Sequence, residues 1–160
     1  MVMAIEQENL MKDWLAGQVS LGAVADWNKD EIRIISEIAY SLAQQGCYEE
    51  AITLFEGLLA IAPATAYFQA ALGALHLRLK NLSVAISYLD AALKIEENDV
   101  ISLVNRGEAH LLGGKIAQAR QDLERALQIA ALKPNKQDSI NNEMILSIKR
   151  ARTLLQVHKV

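Results

Sequence analysis

The chain has 160 residues, 52% of them hydrophobic but only 5% aromatic, and a net charge of −3. That length suits about one domain, the interleaved charges argue against a nucleic-acid surface, and no apolar run reaches the roughly 18 residues of a membrane-spanning helix. Much of the apolar content is Ala and Leu, both strong helix formers, and only two prolines interrupt them, so an all-α chain is expected.

The opening segment, MVMAIEQENLMKDW, carries acids early and lacks the apolar core of a secretory leader. Residues 4–19 suggest a first amphipathic helix, with Leu10, Met11, Trp14 and Leu15 on one face. That stripe either folds back as a cap on the chain that follows or pairs with a second protomer. Beyond Gly17 and Gly22, the stretch DWNKDEI signals a helix start. Asn28 can cap, Glu31 sits where a capping box needs it, and Trp27 can staple onto Ile32. This helix is expected to run to Gln45 and stop at Gly46, and the next to span 47–61, closed by Pro63. Two further pairs follow, 66–80 with 83–95 and 100–112 with 116–130, broken near Asn81 and at Gly113–Gly114. After the polar LKPNKQD, a last helix over 139–157 carries Ile140, Met144, Ile148, Ala151 and Leu155 along one stripe and is expected to seal the third pair. Lys149, Arg150 and Arg152 lie towards its end, where positive charge suits the helix dipole.

The pairs share one register. Ala51, Ala85 and Ala119 stand 34 residues apart, as do Phe55, Leu89 and Leu123, then Leu58, Ala92 and Ala126, and Ile61, Ile95 and Ile129. Gly73 is followed by Gly107, with Ala39 as the small residue one step earlier. Self-similarity at a fixed period marks a stacked-repeat protein. Two antiparallel helices about 8–10 Å apart need small side chains where they come closest, and these alanines and glycines are the predicted contact points.

A 34-residue helix–turn–helix unit of this kind resembles the tetratricopeptide repeat, whose pattern is W-x2-L-G-x2-Y, then A-x3-F, then P. The first repeat shows Ile35, Ile38-Ala39, Leu42, Ala51, Phe55 and Pro63 at these positions. The second shows Gln69, Leu72-Gly73, His76, Ala85 and Leu89, with Glu97 in place of proline. The third shows Leu103, Arg106-Gly107, His110, Ala119 and Leu123, with Ala131 in place of proline. The resemblance implies a right-handed superhelix of three repeats over 28–131, preceded by an N-terminal helix and linker (1–27) and followed by a C-terminal capping helix (132–160).

A narrower resemblance runs through Tyr40 with GCYEEA and through Glu108–Arg120, EAHLLGGKIAQAR, and covers nearly the whole chain. It is to the class II chaperones of bacterial type III secretion. The family usually has Cys beside the His where this chain has Ala109, and often an aromatic where Ala43 stands. The resemblance implies a cytoplasmic chaperone that holds hydrophobic translocator proteins before export, binds a short extended client segment in its concave groove, and forms dimers through its N-terminal helix. The alternative is a general scaffold or assembly factor of the same fold: a needle-subunit chaperone, or a pilus or regulatory adaptor.

Solenoids of this kind bind along the concave side, which the first helix of each pair lines. Helical spacing puts Arg33, Ser36, Tyr40 and Ala43 there in the first repeat. It puts Tyr67, Ala70, Ala74, Leu77 and Arg78 there in the second, and Ile101, Val104, Glu108 and Leu111 in the third. The set is small and apolar at its centre, as suits an extended peptide. A second repeat class grips the C-terminal carboxylate of heat-shock chaperones with a Lys/Asn/Arg clamp. Of the matching positions Ser36, Tyr40, Ala71, Ile101 and Asn105, only Asn105 could serve, and with no cation among them to pair with a carboxylate that reading is rejected.

No catalytic constellation, cofactor or metal site is expected. His76 and His110 lie one repeat apart, about 10 Å, which is too far to share a metal whose ligands each sit about 2 Å away. Cys47 is the one cysteine, which cannot form an internal disulfide and fits a reducing cytosol. It stands at a helix start with no His near it. GGK at Gly113–Lys115 lacks the further glycine, the Ser/Thr and the preceding strand of a phosphate loop. Glu49–Glu50 and EEND at Glu96–Asp99 read as solvated turns.

Overall fold

A computed structural model describes residues 28–132 and 142–157, and all the regular structure there is helical. The helices are α1 (Lys29–Gln44), α2 (Tyr48–Ile61), α3 (Ala66–Arg78), α4 (Leu82–Ile95), α5 (Val100–Leu112), α6 (Ile116–Leu132) and α7 (Asn142–Val157). The expected N-terminal helix, with Leu10, Met11, Trp14 and Leu15, and the staple from Trp27 lie outside the described residues. The chain divides into two compact units, Met1–Phe68 and Gln69–Val160, and the division falls inside α3.

In the first unit α1 begins with the expected capping box. Asn28 Oδ1 accepts from the amides of Asp30 (2.9 Å) and Glu31 (3.0 Å), and the Glu31 carboxylate accepts from the Asn28 amide at 3.0 Å. α1 packs on α2, with Ala39 and Ala51 fully buried. Phe55 is buried on α2, edge-on to Tyr67 at 6.0 Å and tilted against Phe68 at 6.2 Å. α2 stops at Ile61, two residues before Pro63.

In the second unit α4, α6 and α7 all pack on α5, and α7 also packs on α6. The small-residue contacts are where the register put them. A Cβ built on Gly73 would stand 2.5 Å from Leu89 Cγ and 3.2 Å from the Ala85 carbonyl oxygen. One on Gly107 would stand 2.9 Å from Leu123 Cγ and 3.4 Å from the Ala119 carbonyl oxygen. Ala85, Leu89, Ala119 and Leu123 are fully buried. The Ile61, Ile95 and Ile129 column is less uniform: Ile61 is buried, Ile129 half-buried and Ile95 exposed.

The first helix of each hairpin ends in the same Schellman motif. The amides of Cys47, Asn81 and Lys115 donate to the carbonyls of Leu42 (3.0 Å), His76 (2.9 Å) and His110 (2.8 Å). The residues before those amides, Gly46, Lys80 and Gly114, adopt φ of 84°, 63° and 73°. Two of the three are glycines; Lys80 holds the same left-handed conformation with a side chain attached.

Candidate functional site

The predicted client-facing residues fall into two groups. In the first unit they lie on accessible surface. Arg33 is exposed and ion-paired to Glu37 (2.9 Å) and Asp30 (3.6 Å), and Ser36 donates its hydroxyl to the Arg33 carbonyl at 3.1 Å. Tyr40 and Tyr67 are 44% and 49% exposed, and Ala43 is half-buried. Exposed tyrosines offer area and a hydroxyl at low entropic cost.

In the second unit the picture changes along the chain. Ala70, Ala74 and Ile101 are half-buried and Arg78 is exposed. Leu77, however, is buried in a cluster with Ala85 and Ala109, and Val104 is fully buried in a cluster with Leu123, Ala126 and Ala151. These two side chains are therefore core rather than client-facing. Helical spacing fixed their face but not what lies on it: α5 carries α4 and α6 and, in addition, α7. Leu111 is half-buried against the same cluster, as are Leu155, Ile148 and Met144 of α7.

α7 also brings charge to α5. Arg150 donates to Asn105 Oδ1, and its Nε lies 3.3 Å from Glu108 Oε2. Burial pushes the Arg150 guanidinium below its ordinary pKa, and the Glu108 carboxylate opposes that shift. Arg150 thus serves α5 rather than the dipole of its own helix, whose last turn holds no basic residue. The cation that pairs with Asn105 is thus Arg150, 45 residues further along the chain.

Sequence reasoning missed a second polar knot. Arg106 donates from Nε and Nη2 to both oxygens of Asp122 (2.8 and 2.6 Å), and from Nη1 to Asp90 Oδ1 at 2.7 Å. The guanidinium ties α4, α5 and α6 together, and its two carboxylates hold its pKa above the ordinary range. The acids lie 16 residues before and 16 after Arg106, a spacing outside the 34-residue register. A cavity alongside is lined by Asp90, Lys94, Glu97, Arg106 and Arg125, where Arg125 in turn donates to Glu97 at 2.5 Å.

The histidines pack. His76 stacks on Tyr88 at 5.5 Å with the rings 6° from parallel. His110 is buried, with Nε2 3.9 Å from Asp122 Oδ2 and Nδ1 without a hydrogen-bond partner, and burial pushes its pKa down. Among the described residues no group of three or more His, Cys, Asp or Glu is placed to hold a metal ion, and no helix is long and apolar enough to cross a membrane. Cys47 is the N-cap residue of α2, and Gly113–Lys115 is the turn between α5 and α6. In the EEND stretch Asp99 caps α5, accepting from the Ser102 amide at 2.9 Å, and Glu97 pairs with Arg125.

This is the tetratricopeptide-repeat fold, and residues 37–100 match the family model for the tetratricopeptide repeat. None of the curated proteins matches the chain. Among solved structures it is similar to a type III secretion complex from Aeromonas hydrophila, with 21% identity, 94% of this chain and 95% of that chain covered, and a TM-score of 0.78. It is also similar to the type III secretion translocator chaperone SycD of Yersinia enterocolitica, with 20% identity, coverage of 87% and 98%, and a TM-score of 0.74. SycD in complex with a peptide of the translocator YopD gives 20% identity, coverage of 83% and 98%, and a TM-score of 0.68.

Proposed function

We propose that this chain is a cytoplasmic chaperone of a type III secretion system, which keeps a hydrophobic translocator protein soluble before export by holding an extended segment of it. The observation that carries this reading is the likeness to a translocator chaperone bound to a translocator peptide, which extends over 83% of this chain. The exposed Tyr40 and Tyr67 of the first unit supply apolar area for such a segment. The role is binding rather than catalysis, and it is supported by the way the charged side chains of α4–α7 pair with one another: Arg106 with Asp90 and Asp122, Arg150 with Glu108, Arg125 with Glu97. Residues 10–15 supply the apolar stripe through which two protomers would pair.

Co-expression with the hydrophobic translocators of the same genome tests the proposal. A soluble, stable complex with one of them is expected; translocators that stay insoluble in the presence of the chain would refute it. A general scaffold would instead copurify with partners that are soluble without it.

A further inference from the structure

His110 borders the Arg106 knot and takes no part in it. Its Nε2 lies 3.9 Å from Asp122 Oδ2, beyond hydrogen-bond reach, and its buried Nδ1 has no partner. Both oxygens of Asp122 are held instead by Arg106, whose third bond runs to Asp90 of α4. Around a neutral imidazole, then, one guanidinium faces two carboxylates. His76 and Tyr88, 34 residues earlier, occupy the same two register positions and form a ring stack at 5.5 Å. The first hairpin has Leu42 and Leu54 there. Setting a carboxylate against the histidine is therefore peculiar to the third hairpin and not a requirement of the repeat.

The charges around His110 come from several elements. Asp122 stands on α6, Asp90 on α4, Arg106 one turn back on α5 and Lys115 in the turn that follows. α7, which also packs on α5, presents Arg150, and that guanidinium is engaged by Asn105 and Glu108. α3 meets α5 at Leu77 and Ala109 and carries His76 and Arg78 in its last turn, where His76 lies against Tyr88. Burial is the strongest influence on the ring and keeps it neutral at neutral pH, so the proton arrives on acidification.

We propose that His110 is a proton-operated latch on the Arg106 knot: once protonated, it takes Asp122 Oδ2 from Arg106 Nε. A proton from solvent leaves both ring nitrogens carrying N–H, and Nε2 becomes a charged donor facing Oδ2. A closure of about 1 Å brings the pair to charge-assisted hydrogen-bond length. Asp122 Oδ1 stays on Arg106 Nη2, and Asp90 stays on Nη1. The two-bond fork that fixes Asp122 of α6 on Arg106 of α5 thus opens on one side, while the tie to α4 holds. The seat of α6 on α5 thereby answers to pH.

The test is an NMR titration of the full chain from about pH 7.5 to about pH 5, following the histidine rings and the Arg106 Nε–H, with the His76 ring as reference. At the upper end the Arg106 Nε–H proton should lie downfield, as its bond to a carboxylate requires. It is expected to move upfield with the same midpoint as the His110 ring. In His110→Gln it should hold its upper-end position over the range in which the wild type moves. A proton that stays put while His110 titrates overturns the latch, as does a His110 ring that does not titrate in this range. Equal movement in the wild type and in His110→Gln overturns it too, and assigns the change to protonation of Asp122. Should the glutamine variant not fold, agreement or divergence of the His110 and Arg106 midpoints in the wild type decides the matter alone.

Discussion

Gly73 and Gly57 both lie inside helices, yet the same substitution should act on them in opposite directions. At Gly57 no atom lies within 4 Å of an added Cβ, so Gly57→Ala should stabilise the fold by about 1 kcal/mol through helix propensity alone. At Gly73 the methyl meets Leu89 Cγ at 2.5 Å, and Gly73→Ala should destabilise by roughly 1–3 kcal/mol; urea denaturation of the two variants checks the pair. Lys80 makes the complementary case. Its φ of 63° carries a steric cost of about 1–2 kcal/mol that glycine avoids, offset in part by the entropy a glycine loses on folding, about 0.5–1 kcal/mol. Lys80→Gly should therefore raise the urea midpoint, while Gly114→Ala should lower it. His110 sets a pH dependence. Its pKa is lowered in the fold by burial, so the unfolded chain binds the proton more readily. Stability is thus full above about pH 6.5, the ordinary value of histidine, and declines as pH falls below it. His110→Gln should flatten that decline between about pH 7 and 5, measured as the urea midpoint against pH.

In the second unit small residues set the close approaches within the hairpins, and Arg106 adds charge to the apolar contacts that join α4 to α5 and α6. Arg106 bonds to two carboxylates of unequal burial: Asp122 has a side chain 7% exposed and Asp90 one that is 46% exposed. Removing the buried partner leaves the guanidinium with only the half-exposed Asp90, at a cost of up to about 3–5 kcal/mol, whereas an exposed pair contributes about 1 kcal/mol or less. Asp122→Asn should therefore lower stability several times more than Asp90→Asn in thermal or chemical denaturation. The hairpins themselves were legible in the sequence, because Ala51, Ala85 and Ala119 and Gly73 with Gly107 recur at one period and mark the close approaches. The capping box at Asn28 was legible too, since it is built from neighbours. The knots at Arg106 and Arg150 were not: long side chains find partners 16 and 45 residues away, and no local pattern encodes that choice. The same limit misplaced Leu77 and Val104. Periodicity assigns a residue to a face, but a first helix flanked on several sides buries more than one face: Val104 shares a cluster with Ala151 of α7, and Leu77 shares one with Ala85 of α4 and Ala109 of α5.

At the scale of the whole molecule, the tyrosines matter most, because they are large, accessible and on the first helix of their hairpins. Leu77→Asp would not probe client binding, since it puts a charge into the core; Tyr40→Ala removes surface instead, and Tyr67→Ala removes surface together with ring contacts to Phe55 and Phe68. The fold could be read from the 34-residue period, whereas for the residues proposed to face a client that period showed the helix face but not the burial of Leu77 and Val104. The proposed function rested on segments such as GCYEEA, since no catalytic or ligand-binding motif would mark a surface that accepts another chain's backbone. The most direct measurement is the affinity for the stretch of copurified translocator that the chain protects from proteolysis, determined by calorimetry for the wild type and for the Tyr40→Ala/Tyr67→Ala double variant. A loss of roughly 30-fold, about 2 kcal/mol, with the melting temperature within a few degrees of the wild type, is the predicted result. Unchanged affinity in a folded double variant would contradict it.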